Sequence, residues 1–486
     1  MNKNFLVDIL KYLPGKIVPA IIGFVSIPII TRLFPPETYG NYAFALSIVS
    51  FLSIAVGWVG MSNIRFYPVY EKQERLLEYS SVVFKIAIYS ILIIAILFLL
   101  LLLSFKNTIQ KELYGLLWVS IPFFMFSTFF TVSQNFLRVN NRIGLFSLSG
   151  IWRVITSFLF GIALVIWFDF GVEGLFGGSI MSLALANLYI YRKSFVRVDL
   201  KIKVNYSILK KFFFYSYPLV LSSVFALVTK FSDRFFLMHF RDAYEVGLYS
   251  ANFTIADQSI MLIVTLFLYA AHPMSIKIWE QKGVEASKEF LSSTTGLYIA
   301  IALPAVVGMS LLYEEITTVL LEEQYHIGAD ILPIICSAIF FYGIQQRYQS
   351  GIHFFKKTVY ITYSIVLASI MSVVLNIILI PIYGYKGAAI SMLVAYFFMA
   401  VYMIIYSRKL IKWRFPVLIT LKSIVSTFVL ALGLVAIPFH LVTNNLYLNL
   451  FVKVAVGAGI YFLLMFLLKA YDTKSMFTLM TKKHNK

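Results

Sequence analysis

Stretches of roughly twenty mainly apolar residues, each the length a helix needs to cross the hydrocarbon of a bilayer, recur fourteen times along this 486-residue chain. They fall at about 12–33, 40–60, 81–104, 114–136, 144–168, 172–191, 212–232, 246–270, 293–312, 331–353, 359–382, 386–407, 416–438 and 446–468. Charged or proline- and glycine-rich breaks separate them. With 60% hydrophobic residues, 13% charged and a mean hydropathy of +0.85, the chain has too little polar surface for a water-soluble globule. In hydrocarbon only helices and closed barrels satisfy their own peptide groups, and spans of this length predict helices. The expectation is an all-α membrane protein of about 14 transmembrane helices, with no loop large enough for a separate domain. The N-terminal segment, interrupted by Lys11, Pro14 and Lys16, has no cleavable leader pattern and is expected to run into the first helix.

The formal charge of +19 is a matter of topology. With the N-terminus inside, the inner segments carry 29 of the 41 basic residues, among them Arg65, Lys72, Arg75, Arg138 and Arg142. The run from Arg192 to Lys211, the group from Arg408 to Arg414 and the tail from Lys469 belong to the same side. The outer segments hold six: Arg32, Lys106, Lys111, Arg234, Arg241 and Lys386. Basic residues retained on the cytoplasmic side account for this alternation. It requires an even number of spans with both termini cytoplasmic, and it removes nucleic acid as a partner.

Landmarks repeat. Thr31-Arg32-Leu33-Phe34 followed by Tyr39-Gly40-Asn41-Tyr42 after the first span returns as Asp233-Arg234-Phe235-Phe236 followed by Val246-Gly247-Leu248-Tyr249 after the seventh. Gly171-Val172-Glu173-Gly174 before the sixth span returns as Gly384-Tyr385-Lys386-Gly387 before the twelfth, and Pro14 and Pro218 lie early in the first and seventh. Six spans bring the chain back to the same face, so these are parallel six-helix pseudo-repeats with two C-terminal helices appended. The expected division is an N-terminal lobe at 1–200, a C-terminal lobe at 201–410, and helices 13 and 14 with the tail at 411–486.

Charges inside spans are costly and need a reason. Lys85, Lys422 and Lys453 lie near the faces, where their stems reach the headgroups. Lys16, Arg153, Lys230 and Arg347 are deeper or sit beside helix breakers, and four cations spread over both repeats suit an anionic group such as a phosphate or pyrophosphate. They are the candidate substrate-binding residues. Asp257, the one acid well inside a span, is read as an ion-pair partner or a site for a coupling ion. The six histidines are scattered without ligand spacing and the single cysteine, Cys336, is alone. No metal, cofactor or catalytic residue is therefore expected. No phosphate-binding glycine loop of the P-loop type is present, so energy would come from an ion gradient, a partner, or consumption of the cargo.

Several segments, in order, carry a family resemblance: Pro28-Ile29-Ile30-Thr31-Arg32-Leu33 with Glu37-Thr38-Tyr39-Gly40-Asn41-Tyr42, Arg65-Phe66-Tyr67, Ser216-Tyr217-Pro218-Leu219 with Asp233-Arg234-Phe235, and Asn376-Ile377-Ile378-Leu379-Ile380-Pro381 with Gly384 and Gly387-Ala388-Ala389-Ile390. The chain resembles the polysaccharide transporter family, the O-antigen and lipid-linked oligosaccharide flippases of the multidrug/oligosaccharidyl-lipid/polysaccharide exporter superfamily. The resemblance implies two six-helix lobes about a central cavity, alternating access, and an undecaprenyl-diphosphate-linked oligosaccharide (O-antigen, capsule or a related repeat unit) carried to the outer leaflet of a bacterial inner membrane. Membrane lipids and other polysaccharide-assembly proteins are the further partners it implies. Arg32 and Arg234 match family motif positions, but they sit at outer helix ends and are read as bracing loops. Two alternatives stay open: a multidrug or metabolite antiporter on the same scaffold, and a membrane glycosyltransferase or polysaccharide polymerase.

Overall fold

The computed structural model describes residues 14–140, 142–195, 198–202, 204, 206–436 and 445–470. Among them the chain forms α1 (Pro14–Leu33), α2 (Pro36–Lys72), α3 (Leu76–Ser104), α4 (Lys111–Val139), α5 (Ile143–Phe168), α6 (Glu173–Ser194) and α7 (Tyr206–Phe240). Then follow α8 (Ala243–Leu311), the short α9 (Tyr313–Leu320), a 3₁₀ turn (Glu323–Ile331), α10 (Leu332–Phe354), α11 (Val359–Tyr383), α12 (Tyr385–Leu410), α13 (Val417–Ala436) and α14 (Leu446–Leu467). No strand occurs among the described residues.

Twelve of these helices are long and apolar enough to cross a membrane, and Ile17–Leu33 is a further, shorter apolar helix. At 69 residues α8 contains about 100 Å of helix along its path, about three times the hydrocarbon thickness and enough for two crossings. It turns at Gly283, with φ 78° and ψ −166°, a backbone region open essentially to glycine alone. Counting the two arms of α8 separately and adding Ile17–Leu33, the described residues hold fourteen apolar helical segments. Several helices extend well past the apolar runs that announce them: α2 continues to Lys72, α7 begins at Tyr206 and the first arm of α8 reaches Gly283. Hydropathy marks only the part in hydrocarbon, whereas a helix continues through the polar headgroups until proline, glycine or a cap stops it.

The chain divides into two compact units. One comprises residues 11–22 and 34–247, the other residues 23–33 and everything from Leu248 onward. In the first, α6 packs on α4 and α5, and α2 packs on α4 and α7. This unit contains an aromatic core in which Tyr79, Phe136 and Phe212 are fully buried. There the Tyr79 hydroxyl donates to Asn63 Oδ1 at 2.5 Å, as a phenol removed from water requires. Lys85 does not reach for headgroups. Its Nζ donates to the carbonyls of Leu200 and Ile202, and Ser81 Oγ accepts from Asp199 N at 2.8 Å, so α3 staples down the segment joining α6 to α7.

In the other unit α12 packs on α10 and α11, and α13 on α14. Tyr461 of α14 donates to the carbonyl of Ala300 at 2.6 Å, and Asn445 caps α14 by accepting from the amides of Tyr447 and Leu448. Lys453 pairs with Glu315 of α9 at 2.6 Å instead of extending freely to the headgroups.

The repeat is visible in backbone detail. Gly171 and Gly384 both take positive φ, 60° and 56°, and three residues later Gly174 and Gly387 lie against the backbone of the preceding helix. Gly40 and Gly247, each the fifth residue of its helix, are likewise reciprocal: a Cβ on Gly40 would meet the carbonyl of Ala243, and one on Gly247 the carbonyl of Pro36. Both contacts lie within the first unit. Backbone cannot yield as a side-chain tip does, so each alanine costs about 1–3 kcal/mol. Gly40→Ala and Gly247→Ala should each lower the detergent-solubilised melting temperature by several degrees. Because they relax one shared crossing, the double variant should fall short of the sum of the two.

Candidate functional site

Five side chains were singled out in the sequence. Lys16 falls on α1, but its side chain lies outside the described residues. In the first unit, Arg153 lies exposed on α5 with its guanidinium 5.7 Å over the ring of Phe130. Lys230 lies half-buried on α7, its ammonium 5.6 Å from the Phe231 ring and its carbonyl 3.5 Å from Arg234 Nη1. Here α5 packs on α6 and α7 on α2. Arg234, by contrast, is 4% exposed and paired with Asp233 at 3.2 Å, while Arg32 is exposed and donates to the Tyr447 hydroxyl at 3.3 Å.

In the other unit, Arg347 and Asp257 face the packing of α8 with α10. Arg347 is 3% exposed. Nη1 donates to the carbonyl of Phe267 at 3.4 Å and the guanidinium lies 5.5 Å over the Phe267 ring. Nε and Nη2 have no hydrogen-bond partner. Asp257 is half-buried on α8 and acts electrostatically on Tyr342 of α10. Neither Arg347 nor Arg153 makes an ion pair among the described residues.

A buried guanidinium with open N–H groups is expensive, since each polar group withdrawn from water loses hydration that only a partner restores. Planar donors left open in this way match the oxygens of a phosphate. Three acids, in contrast, are occupied at helix ends: Asp233 with Arg234, Glu315 with Lys453 and Asp330 with Lys386. No cluster of three His, Cys, Asp or Glu able to hold a metal occurs among the described residues.

One polar group went unseen in the sequence. His272 of α8 and His353 of α10, 81 positions apart, meet ring to ring at 4.9 Å. His272 Nδ1 lies 3.3 Å from Ser350 Oγ, Gln349 Nε2 lies 3.2 Å from His353 Nε2, and Gln345 Nε2 donates to Gln349 Oε1 at 2.9 Å. The available signal was the spacing of Gln345, Gln349 and His353 at four-residue intervals, one polar stripe on an apolar helix.

A profile of polysaccharide biosynthesis proteins matches residues 5–279, more than half of the sequence, and the chain belongs to that family. A sequence relative, an uncharacterized membrane protein of Methanocaldococcus jannaschii, is 24% identical over 454 residues, covering 86% of this chain and 87% of that one. Among solved structures, the lipid II flippase MurJ in an inward closed conformation superposes with a TM-score of 0.76 at 18% identity, over 97% of this chain and 99% of its own. An inward-facing multidrug resistance transporter of the MATE family gives 0.64 at 14% identity, over 82% and 94%. A transporter of the same superfamily from Pyrococcus furiosus, described as having a binding pocket of reverse polarity, gives 0.57 at 14%, over 83% and 95%. At these identities the structural likenesses establish the fold.

Removing a buried, incompletely satisfied charge is often neutral or stabilising when packing is kept. Arg347→Met should therefore leave expression and melting temperature unchanged or raised, while transport by the chain is lost. A melting temperature several degrees lower would mark Arg347 as structural.

Proposed function

We propose that the chain is a flippase that moves an undecaprenyl-diphosphate-linked oligosaccharide, an O-antigen, capsule or related repeat unit, from the cytoplasmic to the outer leaflet by alternating access. The observation that carries this reading is the pair of intramembrane guanidinium groups, Arg153 and Arg347, without carboxylate partners among the described residues. A phosphate group offers a guanidinium of this kind the bidentate acceptor it lacks. Membership of the polysaccharide biosynthesis family and the shared fold of a lipid II flippase support the same cargo class. In this reading Lys16 and Lys230 add to the field that draws the headgroup in, the membrane is the bacterial inner membrane, and both termini are cytoplasmic. Lipids and other polysaccharide-assembly proteins are its partners.

The rival antiporter would favour acids in its pathway for cationic cargo; Asp257 alone meets that description, against several cations. A glycosyltransferase or polymerase would need free acids on an outer segment. On the acidic segment here Glu315 and Asp330 are held in ion pairs with Lys453 and Lys386, Glu322 and Glu323 are exposed, and at about 313–330 the segment is short.

In a strain deleted for this gene, and lacking a redundant transporter, the lipid-linked repeat unit should accumulate on the inner leaflet and surface polysaccharide should disappear. Wild-type chain restores it. Arg153→Gln and Lys230→Gln, expressed at equal level, should each restore less, and the double variant least. Full complementation by all three would overturn the assignment of these cations, and a deletion strain that still displays its repeat unit outside would overturn the function.

A further inference from the structure

We propose that the His272–His353 pair is a proton-binding site inside the packing of α8 with α10, and that its occupation loosens the first arm of α8 from α10 at Pro273. The imidazoles stack edge to face at 4.9 Å with an interplanar angle of 69°, too close for both to carry charge without strong repulsion. Neither has a carboxylate partner among the described residues; their polar contacts are Ser350 and Gln349. A metal would need a third ligand that these residues do not supply.

On α10 Arg347 lies within electrostatic reach of His272, and Tyr298 of the second arm of α8 faces Arg347 and donates to the carbonyl of Phe340 at 3.0 Å. Lys277 lies further along α8. On the opposite face of α10, α12 brings Ser407 against Gly351 and Arg408 within reach of Tyr348, and Lys356 and Lys357 follow the helix. Asp257 lies at the far end of the interface, beside Tyr342. A proton arriving at the pair thus adds positive charge where a buried, partly unsatisfied Arg347 already stands.

Hydrogen-bond geometry makes the response two-state. Gln349 donates to His353 Nε2 and accepts from Gln345, whose Oε1 has no partner. Protonated at Nε2, the imidazole becomes a donor facing an amide donor. Relief requires Gln349 to turn over and accept from His353, and Gln345 then turns to present its unpartnered Oε1 to Gln349 Nε2. The ladder Gln345, Gln349, His353 reverses as a unit.

A weak point lies beside it on the other helix. Pro273 follows His272 directly and interrupts the hydrogen bonding of α8, and Ser275 Oγ donates to the carbonyl of His272 at 2.7 Å. Two turns on, Trp279 stacks on Phe354 at 4.8 Å and 7°, and meets Phe355 at 5.1 Å. Separation of the two helices must break that stack, which makes Trp279 a built-in reporter.

The test follows the fluorescence of the purified full-length protein, taken as the difference between wild type and Trp279→Phe, from about pH 8 to about pH 3.5, a window that runs below the ordinary histidine range because a buried imidazole beside another and beside a guanidinium resists its proton. The expected result is one sigmoidal red shift of the Trp279 signal on acidification, absent in H272N/H353N. Should that variant fail to fold, H272Q/H353Q supplies the same comparison. A pH-independent signal, or an unchanged transition in the double variant, would overturn the proposal, as would the same shift on replacing potassium by sodium at pH 8. The readout is the helix pair and not cargo movement, so it stands or falls separately from the flippase reading.

Discussion

A peptide group in hydrocarbon has no solvent to bond with, and every other property of this chain is arranged around that fact. Helix after helix meets its own N–H and C=O groups internally, and the few places where it does not are tied down elsewhere. Asn445 satisfies the start of α14, Lys85 takes the loop carbonyls of Leu200 and Ile202, and glycines at positive φ make the turns before α6 and α12. Once backbone is accounted for, the remaining polar atoms within the spans stand out, and their cost gives them meaning.

Those atoms divide into two kinds. Arg234 with Asp233 and Lys453 with Glu315 are internally compensated and hold helix ends. Arg347, with two open N–H groups, is not compensated, nor does Arg153 find an acid. A fold keeps an uncompensated cation when something from outside supplies the missing charge, and a phosphorylated lipid is such a partner. The imidazole pair beside Arg347 extends the same logic to the proton: it is a small, reversible change in charge at a point where α8 is already weakened by proline.

Much of the fold was legible in the sequence because hydropathy, basic-residue placement and recurrent glycine motifs report on membrane insertion directly. The runs at 40–60 and 246–270 located α2 and the first arm of α8, yet missed ten or more residues at their C-terminal ends, where headgroups tolerate both helix and coil. Arg153, Arg347 and Asp257 were identifiable by their cost alone, but which of them are compensated depends on neighbours that no local pattern encodes. Lys85 illustrates the limit, since its partners lie 115 and 117 residues away. The His272–His353 contact joins two helices 81 positions apart, so the histidines read as scattered until packing brought them together.

The account rests on the cargo being an anionic polyprenyl diphosphate. The most direct measurement reconstitutes the purified chain in liposomes containing a fluorescently labelled polyprenyl-diphosphate sugar and follows its accessibility to a membrane-impermeant quencher. The account predicts that quenching proceeds from one leaflet's share toward completion only when the chain is present, and that Arg347→Met abolishes the increase while a labelled phosphatidylcholine stays protected throughout. Equal movement of both lipids, or none of the diphosphate, would contradict it.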